Sequence, residues 1–90
     1  MSVSAENMTN TGNQQKYAQC FVDNFCVEAA VLDGGLEYNA IPEWDSIGHM
    51  ALVSSLEEAF SISLEIDDVV DFSSYHKGME ILQKYGVLFA

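Results

Sequence analysis

Asp45-Ser46-Ile47-Gly48-His49-Met50-Ala51-Leu52-Val53-Ser54-Ser55-Leu56-Glu57-Glu58-Ala59-Phe60 reads as a helix that carries its own start signal. Asp45 is a good N-cap residue. Its carboxylate can accept a backbone N–H from Ile47 or Gly48, and such caps contribute typically ~1 kcal/mol. Leu52, Val53, Leu56 and Phe60 then recur at helical spacing as one buried stripe, which ends around Phe60-Ser61-Ile62-Ser63. Upstream lies a long connection from Asp33 to Asp45, with the only proline, Pro42. Leu36, Tyr38, Ile41 and Trp44 within it predict a loop packed onto the core. Before that loop, Ala18, Phe21, Val22, Phe25, Ala29 and Leu32 fall on one face of a helix running from about Gln14 to Leu32, ended by Asp33-Gly34-Gly35. Downstream, Glu65 to Val70 predicts one or two helical turns with Ile66, Val69 and Val70 inward. Ser73 or Ser74 caps a last helix, Tyr75 to Tyr85, which buries Tyr75, Met79 and Leu82 and stops at Gly86. No alternating strand pattern, internal repeat or low-complexity tract interrupts this order. The expected fold is all-α: a small bundle of three main helices plus one short one, with the long loop between the first two.

Ninety residues, 49% of them hydrophobic, suit one small domain with one core. Residues 1–12 are polar and read as a flexible tail, and residues 13–90 as the domain. No apolar run approaches the ~18 residues of a membrane span, and the N-terminus lacks the apolar segment of a signal peptide. The expectation is a soluble, cytoplasmic monomer. Fourteen acids stand against three lysines and no arginine, for a net charge of −11. That balance argues against nucleic acid, whose phosphates would be repelled, and favours basic protein surfaces. The stretch 43–71 holds Glu43, Asp45, Glu57, Glu58, Glu65, Asp67, Asp68 and Asp71 and no lysine, which reads as a solubilising surface or as a docking face. Cys20 and Cys26, six apart on a helix, point to different sides and suit a reducing compartment better than a disulfide.

Ser46 is the residue whose chemistry must be decided. His49 lies three positions on and Asp45 is adjacent, but a hydrolytic serine also needs an oriented base and an oxyanion hole. The Gly-x-Ser-x-Gly elbow after a strand is absent. The acid-rich segments Asp33–Glu43 and Asp67–Glu80 lack the ligand ladder of a calcium loop, and His49 and His76 lack companions at zinc-ligand spacing. His76 reads as an exposed helix residue, and His49 as a partly buried one within reach of Asp45. What remains is a serine in the first turn of a helix, exposed, where amide N–H groups and the helix dipole favour a negative group. Asp45 opposes such a group by like charge. On these grounds alone an ordinary solvent-facing serine after an aspartate cap is the simpler reading.

The wider pattern adds to this. DSIGHMALVSSLEEAF (residues 45–60) resembles the Asp-Ser-Leu signature and second helix of acyl carrier proteins. SLEEAFSISLEIDDV (residues 55–69) resembles that family's continuation, and SSYHKGMEIL (residues 73–82) sits where its last helix begins. The likeness covers roughly residues 14–86, and the helix order read from periodicity agrees with the family's fold. The resemblance implies a stand-alone carrier domain without catalytic activity of its own. Ser46 would receive 4'-phosphopantetheine from coenzyme A through a separate phosphopantetheinyl transferase with magnesium, and Asp45 would help that enzyme recognise the site. The arm's thiol would hold an acyl or aminoacyl group as a thioester.

Ile47 and Met50 lie off the buried stripe close to Ser46. With Glu57 and Glu58 further along, they form a candidate docking patch for acyl- or aminoacyl-loading and acyl-processing enzymes with basic surfaces. Some positions depart from the family's pattern. Gly48, His49 and Ala51 stand where carriers of fatty acid synthesis have more acids, Trp44 replaces their usual lead-in, and the Gly-Gly-His of peptidyl carriers is missing. These departures point away from a housekeeping role and towards a specialised pathway. The alternative from another class is an unmodified acidic helical adaptor or inhibitor that binds a basic protein.

Overall fold

The computed structural model describes the backbone of residues 2–89 and the side chains of residues 12–89. Five helices follow one another: α1 (Ser2–Phe25), α2 (Ala29–Asp33), α3 (Ser46–Phe60), α4 (Ile66–Asp71) and α5 (Tyr75–Gln83). The all-α reading therefore holds, with one more short helix than expected. None of the described helices is long and apolar enough to cross a membrane.

The first helix differs from its expectation at both ends. Helical backbone runs from Ser2, through the segment read as a tail, rather than starting at Gln14. At the other end, Cys26 adopts φ 56, outside the helical range, while its N–H still bonds the Val22 carbonyl at 2.9 Å. This residue ends α1 and redirects the chain into α2. The apolar spacing spans the break, because Phe25 and Leu32 both enter the same core. Periodicity therefore could not show the turn. Cys20 is buried and Cys26 exposed, both as free thiols.

The core is largely aromatic. Tyr17, Phe21 and Phe25 of α1 are fully or almost fully buried against Trp44, Phe72 and Tyr75. Phe21 meets Trp44 edge-on at 5.4 Å and Tyr75 at 5.0 Å, while Phe25 stacks on Trp44 at 5.3 Å. Such geometries add about 0.5–1.5 kcal/mol per pair beyond the area buried. Tyr17 lies outside the stripe expected from sequence, yet it is fully buried, and its hydroxyl donates to the Tyr75 carbonyl at 2.6 Å. Burial, then the neighbouring Tyr75, pushes its ionisation well above the usual tyrosine range. Leu52, Val53 and Leu56 of α3 are buried as expected, with Phe60 half-buried. In α5 the buried residues are Tyr75, Gly78, Ile81 and Leu82, with Met79 only partly covered.

The long loop is packed down through Leu36, Ile41 and Trp44, but Tyr38, also expected on the core, is 37% exposed. Leu36 and Trp44 are buried. The Tyr38 amide donates to the Ser73 carbonyl at 2.9 Å and the Tyr75 amide to the Leu36 carbonyl at 2.8 Å. This single antiparallel bridge, Glu37 with Ser74, fastens the loop to the start of α5.

The rotation of α4 is a correction. Ile66 and Val70 were expected inward, but each is 76% exposed, and only Val69 of the three is partly covered. Polar anchors set this rotation. Asp68 accepts from Lys84 Nζ at 2.6 Å and from the Tyr85 hydroxyl, while that hydroxyl accepts from the Glu65 amide at 3.0 Å. The Val69 carbonyl is bonded to His49. These contacts turn the helix so that two of its three aliphatic side chains face solvent.

Candidate functional site

Ser46 is the first residue of α3, and its side chain is exposed. Asp45 caps the helix as the sequence predicts: its Oδ1 accepts the Gly48 N–H at 2.8 Å. Gly48 is needed there. A Cβ on it would stand 2.0 Å from the Glu43 carbonyl oxygen and 3.2 Å from Phe25 Cε1. A glycine that is a poor helix former thus lets the loop backbone pass directly over the first turn of α3.

Tyr38 arrives from the loop, and its hydroxyl lies 3.3 Å from Ser46 Oγ. Beside the serine opens a cleft of about 350 Å³, lined by Tyr38, Ser46, His49, Met50, Val69, Val70, Phe72 and Ser73. It runs between α3 and α4, with Phe72 closing it towards the core. From sequence only Ser46 and Met50 of this lining are candidate site residues; Tyr38, His49, Val69, Val70 and Ser73 read as structural residues, and Phe72 is not singled out. Tyr38 is eight residues upstream of Ser46, and Val69 to Ser73 lie on a different helix and the turn after it, so only tertiary folding brings them together. The one available signal was the apolar content of the loop, which marked Tyr38 and Trp44 as packed.

His49 does not bond the Asp45 side chain, the partner expected from sequence. It is buried, and its ring lies edge to edge with that of Trp44, nearly coplanar with an 18° tilt and centroids 6.2 Å apart. Trp44 Nε1 donates to His49 Nδ1 at 2.9 Å, and His49 Nε2 lies 2.8 Å from the Val69 carbonyl. An indole N–H can only donate and a carbonyl can only accept, so the ring is the Nε2–H tautomer. Both nitrogens are engaged by these partners, and the hydroxyl near Ser46 is that of Tyr38.

The docking residues separate into two groups. Ile47 is 81% and Met50 55% exposed, and both sit at the Ser46 end of α3. On α4, the exposed Ile66 and Val70 extend this apolar surface, with Met50 and Val70 both on the cleft. Glu57 and Glu58 stand eleven or twelve positions along α3 from Ser46, about 16–18 Å along the axis. Glu57 is half-buried, and its Oε2 accepts the Leu64 amide at 2.9 Å, so it ties down the turn after α3. Glu58 is exposed. The serine and the glutamates therefore lie at opposite ends of one helix. Among the described residues no group of three or more His, Cys, Asp or Glu is arranged to hold a metal ion.

None of the family models, curated proteins and solved structures compared with the chain matches it.

Proposed function

We propose that the chain is a carrier protein of the acyl-carrier type, with Ser46 as the attachment point for 4'-phosphopantetheine. The observation that carries this reading is the position of Ser46: an exposed hydroxyl at the start of a fifteen-residue helix, on the rim of a mostly apolar cleft. The residues present fit such a group. The hydroxyl is open to an enzyme, the helix start favours an anion, and the cleft offers apolar walls to whatever the arm carries. When bound, the arm supplies a thiol able to hold an acyl or aminoacyl group as a thioester. The chain's own residues bind and present. Asp45 fixes the helix start by capping Gly48, Tyr38 orients the serine hydroxyl, and Ile47 and Met50 offer apolar contact to a visiting enzyme. The acidic surface draws transferases and acyl-processing enzymes with basic patches, in a specialised biosynthetic pathway.

The test is intact mass after incubation with coenzyme A, magnesium and a broad-specificity phosphopantetheinyl transferase. A gain of one phosphopantetheinyl group, lost in a folded Ser46→Ala variant, is the expected result. No gain with several transferases on folded protein would overturn the reading. A second reading, the unmodified acidic adaptor, is favoured by one observation: Ile47, Met50, Ile66 and Val70 are all exposed on an acidic protein. In that case Ser46→Ala is silent towards a basic partner, and charge reversal at Glu57 or Glu58 weakens binding.

A further inference from the structure

The cleft beside Ser46, at about 350 Å³, sits near the lower end of the roughly 300–1,000 Å³ typical of small-molecule pockets. Its mouth is flanked by the exposed Met50 and Val70. Its inner end is formed by His49 and Phe72, and His49 is held more firmly than a packed side chain. The Trp44 indole N–H holds one ring nitrogen and the Val69 carbonyl the other. The loop, α3 and α4 are therefore joined through one imidazole across the inner end of the cleft. Trp44, fully buried, lies beside the ring in nearly the same plane, and Phe72 meets it at 76° with centroids 5.7 Å apart. For a chain entering from Ser46 to go deeper, the imidazole must move. That would leave the buried indole N–H without an acceptor, and such groups are costly to strand.

We propose that His49 sets the length of the group this cleft accepts. Tied between Trp44 and Val69, it closes the inner end, so the cleft takes a short, compact aliphatic group borne on Ser46 and turns a long chain back to solvent. This rests on the reading of Ser46 as an attachment point, but its test does not need a transferase. A Ser46→Cys variant in a Cys26→Asn background is labelled with propyl or dodecyl methanethiosulfonate. Each alkylthio group joins the introduced sulfur as a disulfide, with methanesulfinate leaving. The buried Cys20 is checked as unlabelled by intact mass. The readouts are the amide resonances of Met50, Val69 and Phe72 and the indole N–H resonance of Trp44, the only tryptophan.

Both labels are expected to shift Met50 and Val69, while the Trp44 indole resonance is the same for propyl as for dodecyl. Adding His49→Leu is expected to make the dodecyl label alone shift the Trp44 resonance. His49→Gln, which keeps a donor for the Val69 carbonyl, should restore the original insensitivity to length. If His49→Leu does not fold, Trp44→Phe removes the indole donor instead and is read at the Phe72 amide. Three results would overturn the proposal: a dodecyl label that shifts Trp44 further than propyl with His49 intact, a length response that His49→Leu and Trp44→Phe leave unchanged, or labels of both lengths that shift no cleft amide. Failure of the carrier reading shows elsewhere, as the absence of transferase-dependent mass gain.

Discussion

At Gly78 a single hydrogen in place of a methyl group decides whether α5 can lie against α1. A Cβ there would stand 2.1 Å from Tyr17 Oη and 2.2 Å from Phe72 Cζ, both in the buried aromatic cluster. Alanine is the better helix former by about 0.8–1 kcal/mol, but overpacking a tight core costs about 1–3 kcal/mol. Gly78→Ala is therefore expected to destabilise the protein, measured as a lower urea midpoint at unchanged slope. An unchanged or raised midpoint would mean that the two rings give way freely. Gly48 presents the same lesson against backbone rather than side chains. Neither requirement was legible in the sequence, where both glycines look like interruptions of a helix. What forbids a side chain is a group distant along the chain for Gly78 and a turn of the preceding loop for Gly48. The Asp45 cap, by contrast, could be read directly, since donor and acceptor are three residues apart.

At the scale of elements, α4 is the one held mainly by polar contacts, and its response to pH follows. Hydrogen bonds from Lys84 and then Tyr85 hold the Asp68 carboxyl below the usual carboxylate range. Its contribution is complete above the unfolded value, about 3.9, and is lost as pH falls through the lower folded one. The same Asp68 contact raises Lys84 above the usual lysine range. That contribution is complete below about 10.4 and fades as pH rises through the folded value. The pair is thus at full strength between those limits. Amide protection in residues 66–71, taken relative to the intrinsic exchange rate at each pH, is expected to fall in acid before that of α3, and Asp68→Asn should bring the low protection to neutral pH. Equal protection of α3 and α4 across that range would count against this account.

These anchors also explain why the rotation of α4 departs from its sequence pattern. Ile66, Val69 and Val70 are equally apolar, so composition could not choose among them, and the choice fell to Asp68 and a backbone carbonyl. The loop was easier, because Leu36 and Trp44 in a polar stretch could only be accounted for by burial. The candidate site divides the same way. Ser46, Ile47 and Met50 are local to one helix start and were visible. The cleft that Ser46 borders needs α4 and the loop, and was not.

Over the whole molecule, a charge of −11 with three lysines makes self-repulsion a standing cost of compactness. Salt should relieve it. Moving from about 20 mM to about 0.5 M salt shortens the screening length from roughly 20 Å to a few ångströms. The melting temperature is expected to rise by several degrees, since 1 kcal/mol corresponds to about 4–8 °C for a domain of this size. A fall on adding sodium chloride would mean that attractive pairs, such as Lys84 with Asp68, outweigh the repulsion. The contact between Tyr17 and Tyr75 has a further consequence, for the order in which the chain assembles. Their hydrogen bond spans 58 residues, and the loop is fastened to α5 as well. Contacts so distant form late, because the loop must be closed before they repay it. During synthesis, at about 5–20 residues per second, α1 has no aromatic partner from Phe72 or Tyr75 until the last helix emerges. Ribosome-bound chains halted before Phe72 should be cut by protease near Phe21, and chains lengthened at the C-terminus by a linker that carries α5 clear of the ribosome should resist. Under the carrier proposal, an enzyme that recognises the folded surroundings of Ser46 would therefore act after translation of α5, on a finished domain rather than a nascent one.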